Sequence, residues 1–274
     1  MSSTIARADN QIIWQSIHFP PLTILRGEDK GQGQLDRFFP YLQQQLSQYQ
    51  HQNVEMNWAR TFKAIGKGDH ICSTMVFKSA EREAIAKFTV PVAVALPIRV
   101  IMSKENLARL GATTSYSLVE LMADKRFAGS LVNDRSYTPA IDKLLAEHEA
   151  VSNLSRKSIV SKSLLTMLKL GRVDYMLEYP ATVSYLMKED SQFKEAFSSV
   201  AIEEIPAFTL TYLACPNSPW GKQVVADINT VIINKHSADE YIDLLTQGYN
   251  HEEREVIRKG LQSSVTVTDS VSTQ

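Results

Sequence analysis

The sequence predicts an α/β protein of two lobes, in which the chain crosses twice from one lobe to the other. Segments with strand character alternate with segments of helical spacing along most of its 274 residues, as in parallel or mixed α/β sheets. Two long extended runs, over 90–102 and 202–214, bracket a central α/β segment. We therefore expect the chain to enter lobe two at the first run and to return at the second.

The part before the first long run supplies most of lobe one. Strands are indicated by branched and apolar residues, and helices by apolar residues three and four apart with glycine at their ends. The expected elements are, in order, strand 12–17 ended by Phe19-Pro20-Pro21, a short extended piece 22–25, a helix from Gln34, helix 61–65, strand 71–77 and helix 80–87.

The remaining elements belong to lobe two and to the return into lobe one. They are helix 118–122, strand 129–132, helix 139–149, strand 158–160, helix 162–170, strand 175–177 and helix 181–187, then helices 221–233, 238–246 and 251–261. The sequence thus divides into lobe one (11–96 plus 208–262) and lobe two (97–207). Residues 263–274 are rich in Ser, Thr and Val without helical period, so we expect a flexible tail.

Composition and charge exclude several classes of protein. The chain is 44% hydrophobic, unlike disordered chains, and its 29 Lys and Arg against 30 Asp and Glu leave no basic excess for a nucleic acid partner. The longest apolar run, 90–102, contains Pro91, Pro97 and Arg99 and is shorter than the ~20 residues of a membrane-spanning helix. No direct membrane insertion is expected.

The common catalytic and cofactor motifs are missing from the sequence. It has no nucleophile-elbow, dinucleotide-binding, phosphate-loop or zinc-protease pattern. His148 and His251 each adjoin acids, but adjacent residues on a helix project in different directions and cannot close round one ion. No cofactor and no metal are expected.

The cysteines and the N-terminus leave the compartment open. Cys72 and Cys215 are either a single disulfide or two buried thiols. Asp9, Asn10 and Gln11 stand where a secretory peptide needs an apolar core, so no export signal is expected in the chain as given. The protein is then either cytoplasmic or a mature form.

Three positions are candidates for binding an anion or a cation. Thr138-Pro139 opens a helix after a strand, beside Arg135 and Ser136, where backbone N–H groups would hold a carboxylate; the alternative is an ordinary capped helix. Arg82 opens another helix and is either a bidentate carboxylate ligand or the partner of a neighbouring glutamate. Glu178 lies at a strand's carboxyl end, where open α/β sheets bind ligands, or is simply a helix N-terminal acid.

Short motifs stand in a fixed order along the chain. They are Phe19-Pro20-Pro21, Gly33-Gln34-Leu35-Asp36, Phe77 through Glu81-Arg82-Glu83 to Phe88-Thr89-Val90-Pro91, Ser117-Leu118-Val119-Glu120-Leu121, Arg135-Ser136-Tyr137-Thr138, and Gly171-Arg172-Val173-Asp174-Tyr175 leading to Glu178-Tyr179-Pro180. Taken in order, these segments resemble the periplasmic solute-binding proteins of the type II, amino-acid-binding class (bacterial extracellular solute-binding family 3), and the resemblance spans about residues 12–233. More narrowly they resemble a proteobacterial subgroup of that class, for which the resemblance supplies no ligand.

The resemblance implies the type II periplasmic-binding-protein fold, with two α/β lobes joined by two crossing strands and closing on a small molecule in the cleft. It also implies a role for each candidate residue. Arg82 would clamp a ligand carboxylate, helped by N–H groups of Ser136, Tyr137 and Thr138, and Glu178 would receive an α-amino group. Met75, Phe77 and Phe19 would line the wall of lobe one.

Departures from the family pattern narrow the expected ligand. The first-strand acid of several such binders is Ser16 here, and the loop glycine is Tyr137, which fills space and could stack on a ring. Glu178 replaces an aspartate, and Arg135 adds positive charge near the carboxylate end. A small amino acid or carboxylate is therefore expected rather than a basic amino acid or a polyamine.

The implied function is solute binding without catalysis, by a periplasmic, monomeric protein that serves a membrane ABC transporter or a membrane sensor. Its signal peptide would have been removed, and export would join Cys72 and Cys215, on strands of lobe one, in a disulfide. The alternative is an enzyme on the same fold, similar to the cyclohexadienyl dehydratases. Glu178 would then act as general acid beside Arg82 and Arg135.

Overall fold

A computed structural model describes residues 10–133 and 135–271, with side chains through Ser263. The described residues form two compact units: unit 1 comprises the chain up to Ala95 and from Phe208 onward, and unit 2 comprises Leu96–Ala207. The strands are β1 (Gln11–Ser16), β2 (Gln50–Glu55), β3 (Ile71–Val76), β4 (Ala86–Phe88), β5 (Ala93–Ala95), β6 (Arg99–Ser103), β7 (Ser115–Tyr116), β8 (Gly129–Val132), β9 (Leu154–Lys157), β10 (Tyr175–Glu178), β11 (Phe197–Ile202) and β12 (Thr209–Pro216).

Helices alternate with these strands along the chain. They are α1 (Gln34–Gln45), α2 (Trp58–Lys67), α3 (Ala80–Ile85), α4 (Lys104–Leu110), α5 (Leu118–Ala123), α6 (Pro139–Glu147), α7 (Ser161–Lys169), α8 (Pro180–Glu189), α9 (Pro219–Lys235), α10 (Asp239–Thr246) and α11 (His251–Val271). Within the described ranges, no helix combines the length and the apolar character that crossing a membrane requires.

Unit 1 is built on a mixed sheet in the strand order β2-β1-β3-β12-β4, with β5 also paired to β12. β1 pairs in parallel with both β2 and β3, whereas β12 runs antiparallel to β3. Ile12 and Trp14 alternate along β1 and are buried, as are Phe38 and Leu42 on the apolar stripe of α1. Because β1, β2 and β3 are parallel, their carboxyl ends lie at one edge of the sheet.

Unit 2 has a second mixed sheet in the order β7-β11-β6-β10-β8-β9. β8 pairs in parallel with β9 and with β10, so the carboxyl ends of these three strands also share an edge. The central strand β10 is buried on both faces: Tyr175 and Leu177 pack in one apolar cluster, and Met176 packs in another. A strand covered on both sides reads as a continuous apolar run, which explains why the sequence predicted it.

The expected disulfide between Cys72 and Cys215 is confirmed. Cys72 lies in β3 and Cys215 in the neighbouring strand β12, both fully buried, with Cα atoms 4.3 Å apart. The bond joins two parts of unit 1 that are separated by 143 positions in the sequence, with all of unit 2 between them.

The two long extended runs are not continuous strands, contrary to expectation. The first is divided into β5 and β6 around Pro97, and the second into β11 and β12 around Pro206. Proline lacks the backbone N–H that a sheet ladder needs, so the ladder is interrupted at both places. The chain thus passes twice between the units, as expected, and each of the two long runs is broken where it does so.

Three other local expectations also differ from the structure. The edge strand β2 was missed because its sequence, Gln-His-Gln-Asn-Val-Glu, is polar and largely exposed. The strand expected at 158–160 lies earlier, as β9. The segment 263–274, expected to be a flexible tail, has a helical backbone through Val271 as the continuation of α11, and 272–274 lie outside the described residues.

Candidate functional site

The carboxyl edge of the unit 1 sheet gathers most of the candidate residues of lobe one. β1, β2 and β3 end at Ser16, Glu55 and Val76, and the residues that follow each strand include Phe19, Trp58 and Phe77. Open α/β sheets bind ligands outside the carboxyl ends of their strands. The topology therefore brings these separate sequence segments to the edge where a ligand is most readily held.

A buried glutamine ties the three strand ends together. The Gln15 side-chain amide donates to the Met56 carbonyl at 3.0 Å, and its oxygen accepts from the Thr74 N–H at 3.2 Å. The Thr74 hydroxyl lies 3.0 Å from the Gln15 carbonyl oxygen. Since Gln15 is fully buried, these hydrogen bonds fix the ends of β1, β2 and β3 relative to one another.

Phe19 lies against Trp58, a residue that the sequence analysis missed. The two rings meet edge to face with centroids 6.1 Å apart. Trp58 is half-buried, and among the described residues its buried Nε1 has no hydrogen-bond acceptor. The available signal was Asn57, whose side chain caps α2 by accepting from the Arg60 N–H at 2.9 Å. Trp58 thus adds an indole N–H donor to the aromatic surface around Phe19.

Arg82 lies at the same edge, where its guanidinium contacts a backbone carbonyl and an aromatic ring. Ser79 caps α3, and the Arg82 Nη1 donates to the Phe77 carbonyl at 2.9 Å. The guanidinium carbon lies 4.5 Å from the centroid of the Phe62 ring, a cation–π distance. The observed contacts therefore orient the guanidinium between a carbonyl and an aromatic face.

Met75 is at an irregularity in the sheet. Its backbone has φ +45°, in the left-handed region that residues other than glycine seldom adopt, and the pairing of β3 with β12 shifts register between Tyr212 and Ala214. The half-buried Met75 side chain lies 3.5 Å from the Thr211 hydroxyl, measured to its Sδ. Met75 therefore packs on β12.

The carboxyl edge of the unit 2 sheet brings Arg135 and Glu178 into direct contact, which the sequence did not predict. Arg135 follows β8, Ser161 follows β9 and Glu178 ends β10. Arg135 Nη1 lies 2.6 Å from Glu178 Oε2, and Arg135 Nη2 lies 2.7 Å from Glu178 Oε1. Ser161 donates its hydroxyl to Glu178 Oε2 at 2.5 Å. The three parallel strands thus converge on one buried, bidentate ion pair.

The ion pair keeps both of its members charged. Burial alone would raise the pKa of Glu178, but the Arg135 charge and the hydrogen bonds from Arg135, Ser161 and the Tyr179 N–H outweigh it and hold that pKa below its ordinary value. Burial likewise lowers the pKa of Arg135, and the Glu178 charge more than reverses this. The guanidinium carbon also lies 4.8 Å from the Tyr137 ring centroid and 5.6 Å from that of Tyr179.

The loop 135–138 is fastened by Asp142 of α6, which accepts hydrogen bonds from Ser136 and Tyr137. Ser136 donates its hydroxyl to Asp142 Oδ2 at 2.5 Å, and the Tyr137 N–H donates to Asp142 Oδ1 at 2.9 Å. The Tyr137 ring is fully buried in the core, and its hydroxyl oxygen accepts from the Val132 N–H at 2.7 Å. Tyr137 is therefore a core residue, whose N–H is bonded to Asp142 and whose ring packs in an apolar cluster of unit 2.

Thr138 caps α6, as the sequence predicted. Its hydroxyl accepts from the Ile141 N–H at 3.3 Å, and Pro139 occupies the first turn of the helix. Its backbone has φ +148°, a conformation that a β-branched residue rarely adopts. Strained residues of this kind concentrate at ligand-binding sites and switch regions.

The comparison with known proteins rests on structure alone. No protein-family model and no curated protein matches the sequence.

Among the described residues, no cluster of His, Cys, Asp and Glu side chains is arranged to hold a metal ion.

Several solved structures match the fold at low sequence identity. One is a chain from a study of glutathione import via GshT and the cystine ABC importer TcyBC of Streptococcus mutans, with a TM-score of 0.68, 12% identity, and coverage of 87% of this chain and 94% of that chain. Another is the substrate-binding protein AbpA of an amino acid ABC transporter from Streptococcus pneumoniae, bound to L-arginine. Its TM-score is 0.65 at 15% identity, and the match covers 93% of this chain and 96% of that chain. A third is the periplasmic VFT2 domain of BvgS from Bordetella pertussis. Its TM-score is 0.65 at 15% identity, and the match covers 89% of this chain and 94% of that chain.

This likeness establishes the fold. The chain has the two-domain, Venus-flytrap fold of the periplasmic binding proteins, as the sequence predicted.

Proposed function

We propose that this protein binds a small solute, an amino acid or a small carboxylate, without catalysis. It delivers the solute to a membrane ABC transporter or reports it to a membrane sensor. In this proposal the protein is monomeric and periplasmic and belongs to the amino-acid-binding class, in the proteobacterial subgroup that its motifs resemble.

The observation that carries the proposal is the setting of Arg82 in unit 1. Its guanidinium is oriented by the Phe77 carbonyl and the Phe62 ring at the edge where the parallel strands end. The Phe19 ring and the Trp58 indole N–H, which has no acceptor among the described residues, lie at the ends of the neighbouring strands. An oriented guanidinium among aromatic rings suits a carboxylate that carries an apolar or ring-bearing body.

The comparisons and the disulfide support the same proposal. AbpA is bound to L-arginine, and the BvgS domain is described as periplasmic; both share the fold of this chain. The buried Cys72–Cys215 disulfide is typical of proteins in an oxidising compartment such as the periplasm.

The geometry of Glu178 argues against the enzyme alternative. A general acid must hold a proton near neutral pH, which requires a raised pKa. The pKa of Glu178 is instead lowered, because Arg135 and Ser161 outweigh the effect of burial. A carboxylate that is ionised and hydrogen-bonded on both oxygens has no proton to donate to a substrate.

A thermal-shift screen tests the proposal. The full chain is heated with amino acids, small carboxylates and polyamines, because a ligand that binds only the folded state raises Tm. We expect a rise with one of the first two classes and its loss in Arg82→Ala. The matched control is Arg254→Ala, which removes an exposed charge of α11 that is paired with Asp243 of α10 and should leave the rise intact. A rise with polyamines alone, or one that survives Arg82→Ala, would contradict the proposal.

A further inference from the structure

His51 connects the edge strand β2 to the rest of unit 1 through both nitrogens of its ring. Its Nδ1 lies 3.0 Å from the indole Nε1 of Trp14 on β1, and its Nε2 lies 3.1 Å from the carbonyl oxygen of Leu46, the residue after α1. Of the six residues of β2, His51 and Val54 are half-buried and the other four are exposed. The imidazole is therefore one of two partly buried side chains on an otherwise exposed edge strand.

The two partners determine which ring nitrogen of His51 carries the proton. An indole N–H can only donate, so Nδ1 must present its lone pair to Trp14. The proton then lies on Nε2, which donates to the Leu46 carbonyl. Both hydrogen bonds thus require the neutral imidazole in this one tautomer.

A protonated His51 cannot keep the bond from Trp14. A proton on Nδ1 would place two N–H donors against each other at 3.0 Å. Trp14 is only 1% exposed, so solvent does not replace the lost acceptor while the ring stays in place. Because a buried donor without an acceptor is unfavourable, the charged ring must leave this position and give up the Leu46 bond as well.

The surroundings of His51 favour its neutral form. Burial lowers the pKa of His51, and the backbone carbonyls of Leu46 and Gln43 only partly oppose this effect. Among the described residues, no charged side chain contributes to that pKa. The acid at the end of β2, Glu55, is itself paired with Arg26. Within the described part of unit 1, no neighbouring charge therefore offsets the cost of protonating the ring.

We propose that His51 is an acid-sensitive switch in unit 1, which holds β2 against β1 and the end of α1 when neutral and releases it when protonated. Because β2 leads into α2, which begins at Trp58, the release also loosens the start of that helix. The strand is held above the ordinary histidine pKa of about 6.5 and is released as the pH falls through the lower value of the folded protein. The switch acts within unit 1, whichever solute the protein binds.

Nuclear magnetic resonance tests the loss of the bond from Trp14. The indole N–H signals of the full chain are followed between about pH 8 and about pH 4.5, and Trp14→Phe identifies the signal of Trp14. This signal should shift with a midpoint below about pH 6.5 in the original protein. It should stay constant in His51→Asn, whose side-chain oxygen can accept from Trp14 but cannot titrate. The control His148→Asn, at a half-buried histidine of unit 2, should keep the shift.

Hydrogen exchange followed by mass spectrometry tests the release of β2. Over the same pH range and after correction for intrinsic rates, peptides within 50–58 should exchange roughly 10-fold faster or more, whereas β9, an edge strand of unit 2, should not. A Trp14 signal that does not shift, or that shifts equally in His51→Asn, would overturn the proposal. Unchanged protection of β2 in acid would also overturn it. The measurements on the original protein decide the matter even if a variant does not fold.

Discussion

Arg135 and Glu178 form a buried bidentate ion pair, with N–O distances of 2.6 and 2.7 Å, although they are separated by 43 positions in the sequence. The side chains are 6% and 0% exposed. The Ser161 hydroxyl, from a third segment of the chain, also donates a hydrogen bond to the Glu178 carboxylate. This network joins the ends of three parallel strands of unit 2, and its removal should affect the whole unit.

Replacing Arg135 should destabilise the protein strongly. Arg135→Met leaves the Glu178 carboxylate buried without its counter-charge, which typically costs about 3–5 kcal/mol of unfolding free energy. Urea unfolding followed by circular dichroism measures the change. Arg135→Lys keeps the positive charge but not the bidentate guanidinium, so it should lose less unfolding free energy than Arg135→Met.

The matched control for Arg135→Met is Arg126→Met, also in unit 2. Arg126 pairs with Asp124 at 2.6 Å, but its side chain is 65% exposed. A solvent-exposed ion pair contributes little to stability, so the unfolding free energy of Arg126→Met should stay close to that of the original protein. Equal losses in the two variants would show that the burial of the Arg135–Glu178 pair has no special effect.

Stability should fall in acid partly through Glu178. Its pKa is lower in the folded protein than in the unfolded chain, so its contribution is present above the ordinary glutamate value of about 4.3 and is lost as the pH falls through the folded pKa. Unfolding free energies between about pH 3 and pH 6 should therefore decline less steeply in Glu178→Gln, which cannot titrate at this position. If the unfolding free energies of the two proteins fell in parallel with pH, Glu178 would not contribute to the loss of stability in acid.

Removal of the disulfide should lower stability without changing the fold. Cys72 and Cys215 close a loop of 143 positions, and such a cross-link chiefly restricts the unfolded chain. The double variant Cys72→Ala with Cys215→Ala should lose about 2–5 kcal/mol in urea unfolding. Thiol titration of the non-reduced, denatured protein should detect no free thiol, and two thiols per chain would contradict the pairing.

Trp58→Phe should weaken solute binding while leaving stability nearly unchanged. Among the described residues, the indole N–H has no acceptor to lose, and a phenyl ring still packs near Phe19. We expect the ligand-induced rise in Tm to shrink, with the melting temperature of the ligand-free protein kept. The control is Trp220→Phe, at a ring whose centroid lies 4.0 Å from that of His70. This variant should keep the full ligand-induced rise in Tm.

Much of the architecture was predictable because it depends on local features of the sequence, namely apolar periodicity and helix caps. The apolar run of β10, the periodic stripe of α1, and the cap Thr138 each act through neighbours only a few positions away. Where local pattern was weak, prediction was wrong or silent. The polar edge strand β2 carries no alternation, and α2 begins earlier than expected, at its Asn57 cap.

The candidate site was only partly predictable for a different reason. The sequence identified Arg82, Arg135 and Glu178 as residues with the right chemistry at strand and helix ends. It did not reveal that Arg82 rests on Phe62, that Asp142 takes the Tyr137 N–H, or that Arg135 faces Glu178. Each of these contacts depends on how segments distant in the chain are placed.

By itself, the sequence determined the α/β class, the chain's two crossings and the kinds of charged groups available for binding. The tertiary structure alone decided which of those charges neutralise each other. The physical reason is that hydrophobic period and capping act within a few residues, whereas the pairing of Arg135 with Glu178 requires β8, β9 and β10 to lie side by side in parallel. Only when those strand ends converge does a guanidinium that could bind a carboxylate ligand acquire a carboxylate of its own.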